Sequence, residues 1–128
     1  MRKLALATAA ALLALGAPAM AASQNWNVTE ERGAGIKEAQ GVWAVTIDGE
    51  KLSGSATMML DNGNPLTYTL DGTIKDGVYT VKMDKRSDDK KGCVWTGHAL
   101  SGTGAQARGL IGEVACEGVK LIVRAAGA

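Results

Sequence analysis

Residues 92–118 read GCVWTGHALSGTGAQARGLIGEVACEG, and this stretch decides the fold. Both cysteines of the chain lie in it, one near each end, and the Gly/Ser/Thr-rich segment Ser101 to Gly104 sits midway between them. Folding the stretch about a turn centred between Gly104 and Ala105 sets Cys93 opposite Cys116, Trp95 opposite Val114, Gly97 opposite Gly112 and Ala99 opposite Leu110. Alternate residues of a strand share a face, so one face of this hairpin is apolar and carries a cross-strand pair of cysteines. The expectation is a Cys93–Cys116 disulfide.

The neighbouring segments repeat the pattern. After the hairpin, a tight turn at Glu117-Gly118 pairs Cys116 with Val119, Val114 with Leu121 and Gly112 with Val123. Before it, a two-residue loop at Asp76-Gly77 pairs Ile74 with Tyr79, Gly72 with Val81 and Leu70 with Met83. The apolar faces match across that turn without a slip, and a slip of one residue would mix them. Leu66 to Ile74 alternates without a break, with Thr67, Thr69, Asp71 and Thr73 on its polar face. Leu52, Gly54, Ala56, Met58 and Leu60 form one face of an earlier strand. Trp43, Val45 and Ile47 form one face of the strand before that, with Asp48-Gly49 as the connecting turn. Asp61 to Pro65 supplies a longer turn.

Further towards the N-terminus, Trp26 and Val28 share a parity within Ser23 to Arg32, which reads as an edge strand. Gly33 and Gly35 interrupt it, and Ile36-Lys37-Glu38 reads as a turn or one helical turn. Seven to eight short strands joined by tight turns, with no sustained 3.6-residue period, predict an all-β, small antiparallel up-and-down barrel, closed to remove its edges.

The first residues read MRKLALATAAALLALGAPAMAASQ. Arg2 and Lys3 precede an apolar run from Leu4 to Leu15, and Ala19-Met20-Ala21 ends it with small residues. That order is a secretory signal peptide over residues 1–21, leaving 22–128 as one barrel domain in the periplasm or outside the cell. Two cysteines in an exported chain favour a bridge over a metal pair. Loss of Arg2 and Lys3 takes the formal charge from +1 to −1. So even a balance gives no footprint for nucleic acid or for a membrane surface after cleavage, and a monomer is expected.

Gly41-Val42-Trp43 at the start of a strand resembles the GxW element of the lipocalin and avidin-type (calycin) barrels, and Arg124 on the final strand is similar to the basic residue that packs on that Trp. The resemblance implies an eight-stranded barrel whose interior takes a small ligand. It covers two short elements. In texture the chain also resembles small exported proteins of proteobacteria without an assigned function.

No set of residues carries a catalytic signature. His98, the only histidine, lies across from Ile111 and diagonal to Glu113, but no nucleophile stands in a motif with it. Met58, Met59 and Met83 offer thioethers, yet Met58 and Met83 share the core parity. Asp84 to Lys91 carries three carboxylates, Asp84, Asp88 and Asp89, without the spacing of a calcium loop; it reads as a solvated loop. No metal or cofactor is expected. Trp43, Tyr68, Tyr79 and Trp95 fall on the apolar parity of four strands, interleaved with Gly54, Gly72, Gly97 and Gly112. They either fill the core or line a site for a small apolar ligand. The expected function is a non-catalytic binding module for such a ligand or for a protein partner. The alternative is an exported inhibitor of a hydrolase that acts through an exposed loop.

Overall fold

The computed structural model describes residues 22–100 and 109–127. The signal peptide expected over 1–21 and the turn expected at Ser101 to Gly104 lie outside the described residues. Eight strands form a closed antiparallel barrel in sequence order: β1 (Ala22–Arg32), β2 (Ile36–Asp48), β3 (Lys51–Leu60), β4 (Pro65–Lys75), β5 (Val78–Asp84), β6 (Val94–Ala99), β7 (Gly109–Cys116) and β8 (Val119–Gly127). Each strand pairs with the next, and β1 pairs with β8 from Trp26↔Gly127 to Glu31↔Ile122, so no strand is left as an edge.

Register follows the alternation of side chains. Ile74 pairs with Tyr79 and Leu70 with Met83; Trp95 pairs with Val114 and Gly97 with Gly112; Val114 pairs with Leu121. The β4–β5 turn places Asp76 and Gly77 at φ 52° and 78°, a left-handed pair that matches the twist of a two-residue hairpin. One expectation is corrected here. Ile36-Lys37-Glu38 is the first part of β2, and the turn lies earlier, in a 3₁₀ turn at Gly33–Gly35. Pairing with β1 extends β2 to Ile36, across a bulge at Glu30/Glu31.

The interior is mostly apolar, with Glu30 and Arg86 as buried charges, and the outer wall is mostly polar, with Val42, Met59 and Val78 exposed on it. Trp43, Trp95, Val81, Val114, Val123 and Leu66 are fully buried. The outer wall of β3 and β4 carries Ser53, Ser55, Thr57, Thr67, Thr69, Asp71 and Thr73, all exposed.

Cys93 and Cys116 are bonded, as the hairpin register requires. Cys93 is buried, which is compatible with an oxidising, exported location. The inward glycines admit neighbouring groups. A Cβ on Gly97 would collide with the ring of Trp95, and one on Gly112 with the backbone of β6. These positions hold an indole and a closely approaching strand.

Candidate functional site

The four aromatic residues expected to face inward together do so, from β2, β4, β5 and β6, and Trp26 on β1 joins them. Trp43 lies at the centre, with ring centroids 5.2 Å from Trp95, 6.2 Å from Tyr68 and 6.3 Å from Trp26. Tyr79 closes the set, 5.9 Å from Trp26 and 6.1 Å from Trp95. Most of these contacts are edge-on or tilted, the arrangement favoured by aromatic quadrupoles. Trp43 and Trp95 have no exposed surface and Tyr79 is half-buried.

The two ends of the barrel differ. One end carries the turns at Gly49-Glu50 and Asp76-Gly77, and there the inward-facing Ile47, Ile74 and Tyr79 are only partly buried. The other end is closed by residues 85–92. The solvated loop expected from its charges is not what forms, because Arg86 turns into the barrel mouth. Its Nη2 donates to Glu30 Oε1 at 3.0 Å and its Nη1 to Glu30 Oε2 at 3.3 Å. Its guanidinium also lies over the Tyr68 ring, 4.7 Å from the centroid. From its other edge, Nε and Nη2 donate to Asp88 at 3.0 and 2.8 Å. A guanidinium presents a rigid fork of donors, which lets one side chain hold two carboxylates in fixed geometry.

Glu30 also accepts a 2.6 Å hydrogen bond from the Tyr68 hydroxyl, which in turn accepts one from Trp43 Nε1 at 2.8 Å. A chain of polar contacts thus runs from the centre of the aromatic cluster to the loop. Burial, then the negative charge of Glu30 and the bond to it, push the Tyr68 hydroxyl well above its ordinary pKa. Burial opposes the charge on Asp88, but the bonds from Arg86 and its charge, with help from Lys90, outweigh this and hold the carboxyl below the usual carboxylate range. Burial likewise opposes the Arg86 charge, and the bonds to Asp88 and Glu30 override it and raise its pKa.

The rest of the loop is pinned from outside. Ser87 N–H donates to the Thr67 carbonyl and the Ser87 hydroxyl accepts from Thr67 N–H, both at 3.0 Å. Asp89 N–H donates to the Arg86 carbonyl at 3.1 Å, and Glu117 N–H to the Lys91 carbonyl at 3.0 Å. The Cys93–Cys116 bond follows at once. Lys85 and Asp89 hold φ of 55° and 66°, values unfavourable for side chains with a Cβ. The surrounding bonds hold this strained backbone in place. Lys85, Ser87, Asp89 and Lys91 remain exposed at the tip.

Sequence reading missed Glu30 and Arg86. For Glu30 a signal exists: it shares the inward parity of Trp26 and Val28. For Arg86 there is none, since one cation among the seven charged residues of Asp84 to Lys91 looks like its neighbours.

Other candidates stay apart. His98 is exposed and its Nδ1 lies 3.0 Å from the Ala99 carbonyl. Among the described residues no group of His, Cys, Asp and Glu has the geometry to hold a metal ion. Arg124 is on the outer wall and donates to Glu31 at 2.8 Å, so it does not pack on Trp43. Among the described residues the cation that meets an aromatic ring is Arg86, over Tyr68. A depression along β1 and β8 is lined by Asn27, Thr29, Val42 and Met59 on one side and by Leu100, Leu110 and Ala126 on the other. Comparison with protein-family models, with curated proteins and with solved structures finds no match to this chain.

Proposed function

We propose that this chain is an exported, non-catalytic binding module that offers the loop Lys85–Lys91 to a protein partner from the end of a rigid barrel. One observation carries the reading. The loop is held from inside by Arg86, from the flank by Ser87 and at its end by the disulfide, while Lys85, Ser87, Asp89 and Lys91 are left free of the core. A segment ordered before it meets its partner loses little conformational entropy on binding. Inhibition of a hydrolase is one form this function takes, because a strained and pinned loop resists rearrangement in a cleft. The interior supports the same reading: Trp43 and Trp95 are fully buried against one another, where a small ligand would have to lie.

A second reading draws on the end with the Gly49-Glu50 and Asp76-Gly77 turns, where partly buried Ile47, Ile74 and Tyr79 offer apolar surface to a small ligand. Site-specific photo-crosslinking in the cell envelope of the source organism separates the two. A photoreactive residue at Ser87 or Asp89 should give a discrete protein adduct, and one at Thr69 or Thr73 on the outer wall should not. Equal labelling from loop and wall would overturn the loop reading. A co-purifying small molecule seen by native mass spectrometry would favour the second.

A further inference from the structure

All five aromatic side chains of this protein are tryptophan or tyrosine, and phenylalanine is absent. Every aromatic ring is thus one that can give up an electron. The five lie in one unbroken set of contacts, from half-buried Tyr79 through Trp26 or Trp95 to Trp43 and on to Tyr68, with no step between centroids above 6.3 Å. Contact alone gives such a path no direction. Direction comes from the protons, because an oxidised indole or phenol becomes strongly acidic and is stabilised where a base can take its proton.

The rings differ sharply in this respect. Trp95 Nε1 is buried with no acceptor. Trp26 Nε1 donates to the amide oxygen of Gln24, which is not a base. Trp43 Nε1 donates to the Tyr68 hydroxyl, and only that hydroxyl donates to a carboxylate, Glu30 Oε2, at 2.6 Å. Arg86 over the Tyr68 ring disfavours a radical that keeps its positive charge, so loss of the electron there is tied to loss of the proton.

We infer that the barrel carries one-electron oxidation inward, and that an oxidising equivalent taken up at half-buried Tyr79 or an adjoining indole comes to rest on Tyr68 as a neutral phenoxyl radical. The oxidant is a diffusible one-electron acceptor of the oxygen-radical class. It removes an electron from Tyr79 or an adjoining indole, and the vacancy passes to Trp43. Tyr68 then gives one electron to the oxidised Trp43, restoring the indole, and its hydroxyl proton to Glu30, which becomes a neutral carboxylic acid. Asp88 still balances the charge of Arg86.

The test is photo-oxidation of the full, disulfide-bonded chain by a ruthenium(III) tris-bipyridine generated in solution, followed by transient absorption and electron paramagnetic resonance. In the wild type the indolyl signal should decay as a persistent tyrosyl signal grows. Tyr79→Phe leaves the Tyr68 network untouched, so its tyrosyl signal should remain. Tyr68→Phe should lose it and keep the radical on indole. Glu30→Gln retains an oxygen acceptor without a base and should also lose it. A tyrosyl signal that survives in Tyr68→Phe and vanishes in Tyr79→Phe places the radical on Tyr79 and overturns the inference. So does a wild type that shows indolyl radical alone.

Discussion

Arg86 and Glu30 stand 56 positions apart in the chain, yet their side chains meet at 3.0 Å with each only 1% exposed. Removing one partner of such a pair leaves a charge buried without compensation. Arg86→Ala should therefore lower stability by about 3–5 kcal/mol. Replacing both, as Glu30→Leu with Arg86→Met, removes the stranded charge of Glu30 and should be milder than Arg86→Ala, most of all when Asp88→Asn and Tyr68→Phe remove the partners that the pair also holds. Urea unfolding of the single and double variants checks this, and a double variant as weak as Arg86→Ala would contradict it.

The same loop makes stability depend on acid. The Asp88 carboxyl is held below the ordinary carboxylate range, so the folded state binds fewer protons than the unfolded state there. The stabilisation is complete above the unfolded value, near 3.9 for aspartate, and is lost progressively as pH falls through it towards the depressed folded value. Thermal unfolding midpoints across the acid range should fall less steeply in Asp88→Asn than in the wild type.

At the alkaline side the sign reverses. Tyr68 is raised, so its contribution is present below the ordinary tyrosine value, near 10, and is lost as pH rises towards its folded value. Ultraviolet titration of the folded protein should leave Tyr68 silent until the barrel unfolds. Early ionisation of Tyr68, identified by comparison with Tyr68→Phe, would contradict the buried bond to Glu30.

The Cys93–Cys116 bridge spans 23 positions. Chain-entropy arithmetic gives a loop of this length a stabilisation on the order of 3 kcal/mol. A reductant should lower the unfolding midpoint of the wild type and leave a Cys93→Ser, Cys116→Ser double variant unchanged.

Gly97→Ala tests the packing of the aromatic set. The added methyl would meet the Trp95 ring, which is fully enclosed and has nowhere to retreat. Overpacking of this kind should cost about 1–3 kcal/mol. Near-UV circular dichroism should change with it, since the Trp95 ring must turn against Trp43.

Much of the fold is legible in the sequence because strand alternation has a period of two and tight turns fix register. Asp76-Gly77 alone sets the pairing of Leu70 with Met83, thirteen positions apart across the turn. β1 was harder to read, since its closure against β8 depends on residues at the far end of the chain and leaves no local mark. Ile36 carries the same lesson, for it is strand because β1 lies beside it. Trp43, Tyr68, Tyr79 and Trp95 were placed together by parity alone. Glu30 obeys that parity too, but a carboxylate among apolar positions makes sense only once Arg86 is known to arrive. Nothing in the composition of Asp84 to Lys91 distinguishes a plug from a solvated turn, because the difference lies in where one guanidinium points.

The seam between β1 and β8 bears on how the chain reaches this state. Trp26 is among the first residues of the domain to be synthesised, and its partner on that side, Gly127, is among the last. Until β8 arrives, β1 can pair only with β2, and the core-facing sides of Trp26 and Val28 have nothing to close against. The hairpins from β2 to β8 can form as soon as each is complete, since their contacts are local. Closing the ring must wait for a contact that spans the whole domain, the kind that slows folding most. A chain whose last strand is still missing can therefore hold its hairpins but not its ring, and the cylinder closes only when β8 meets β1.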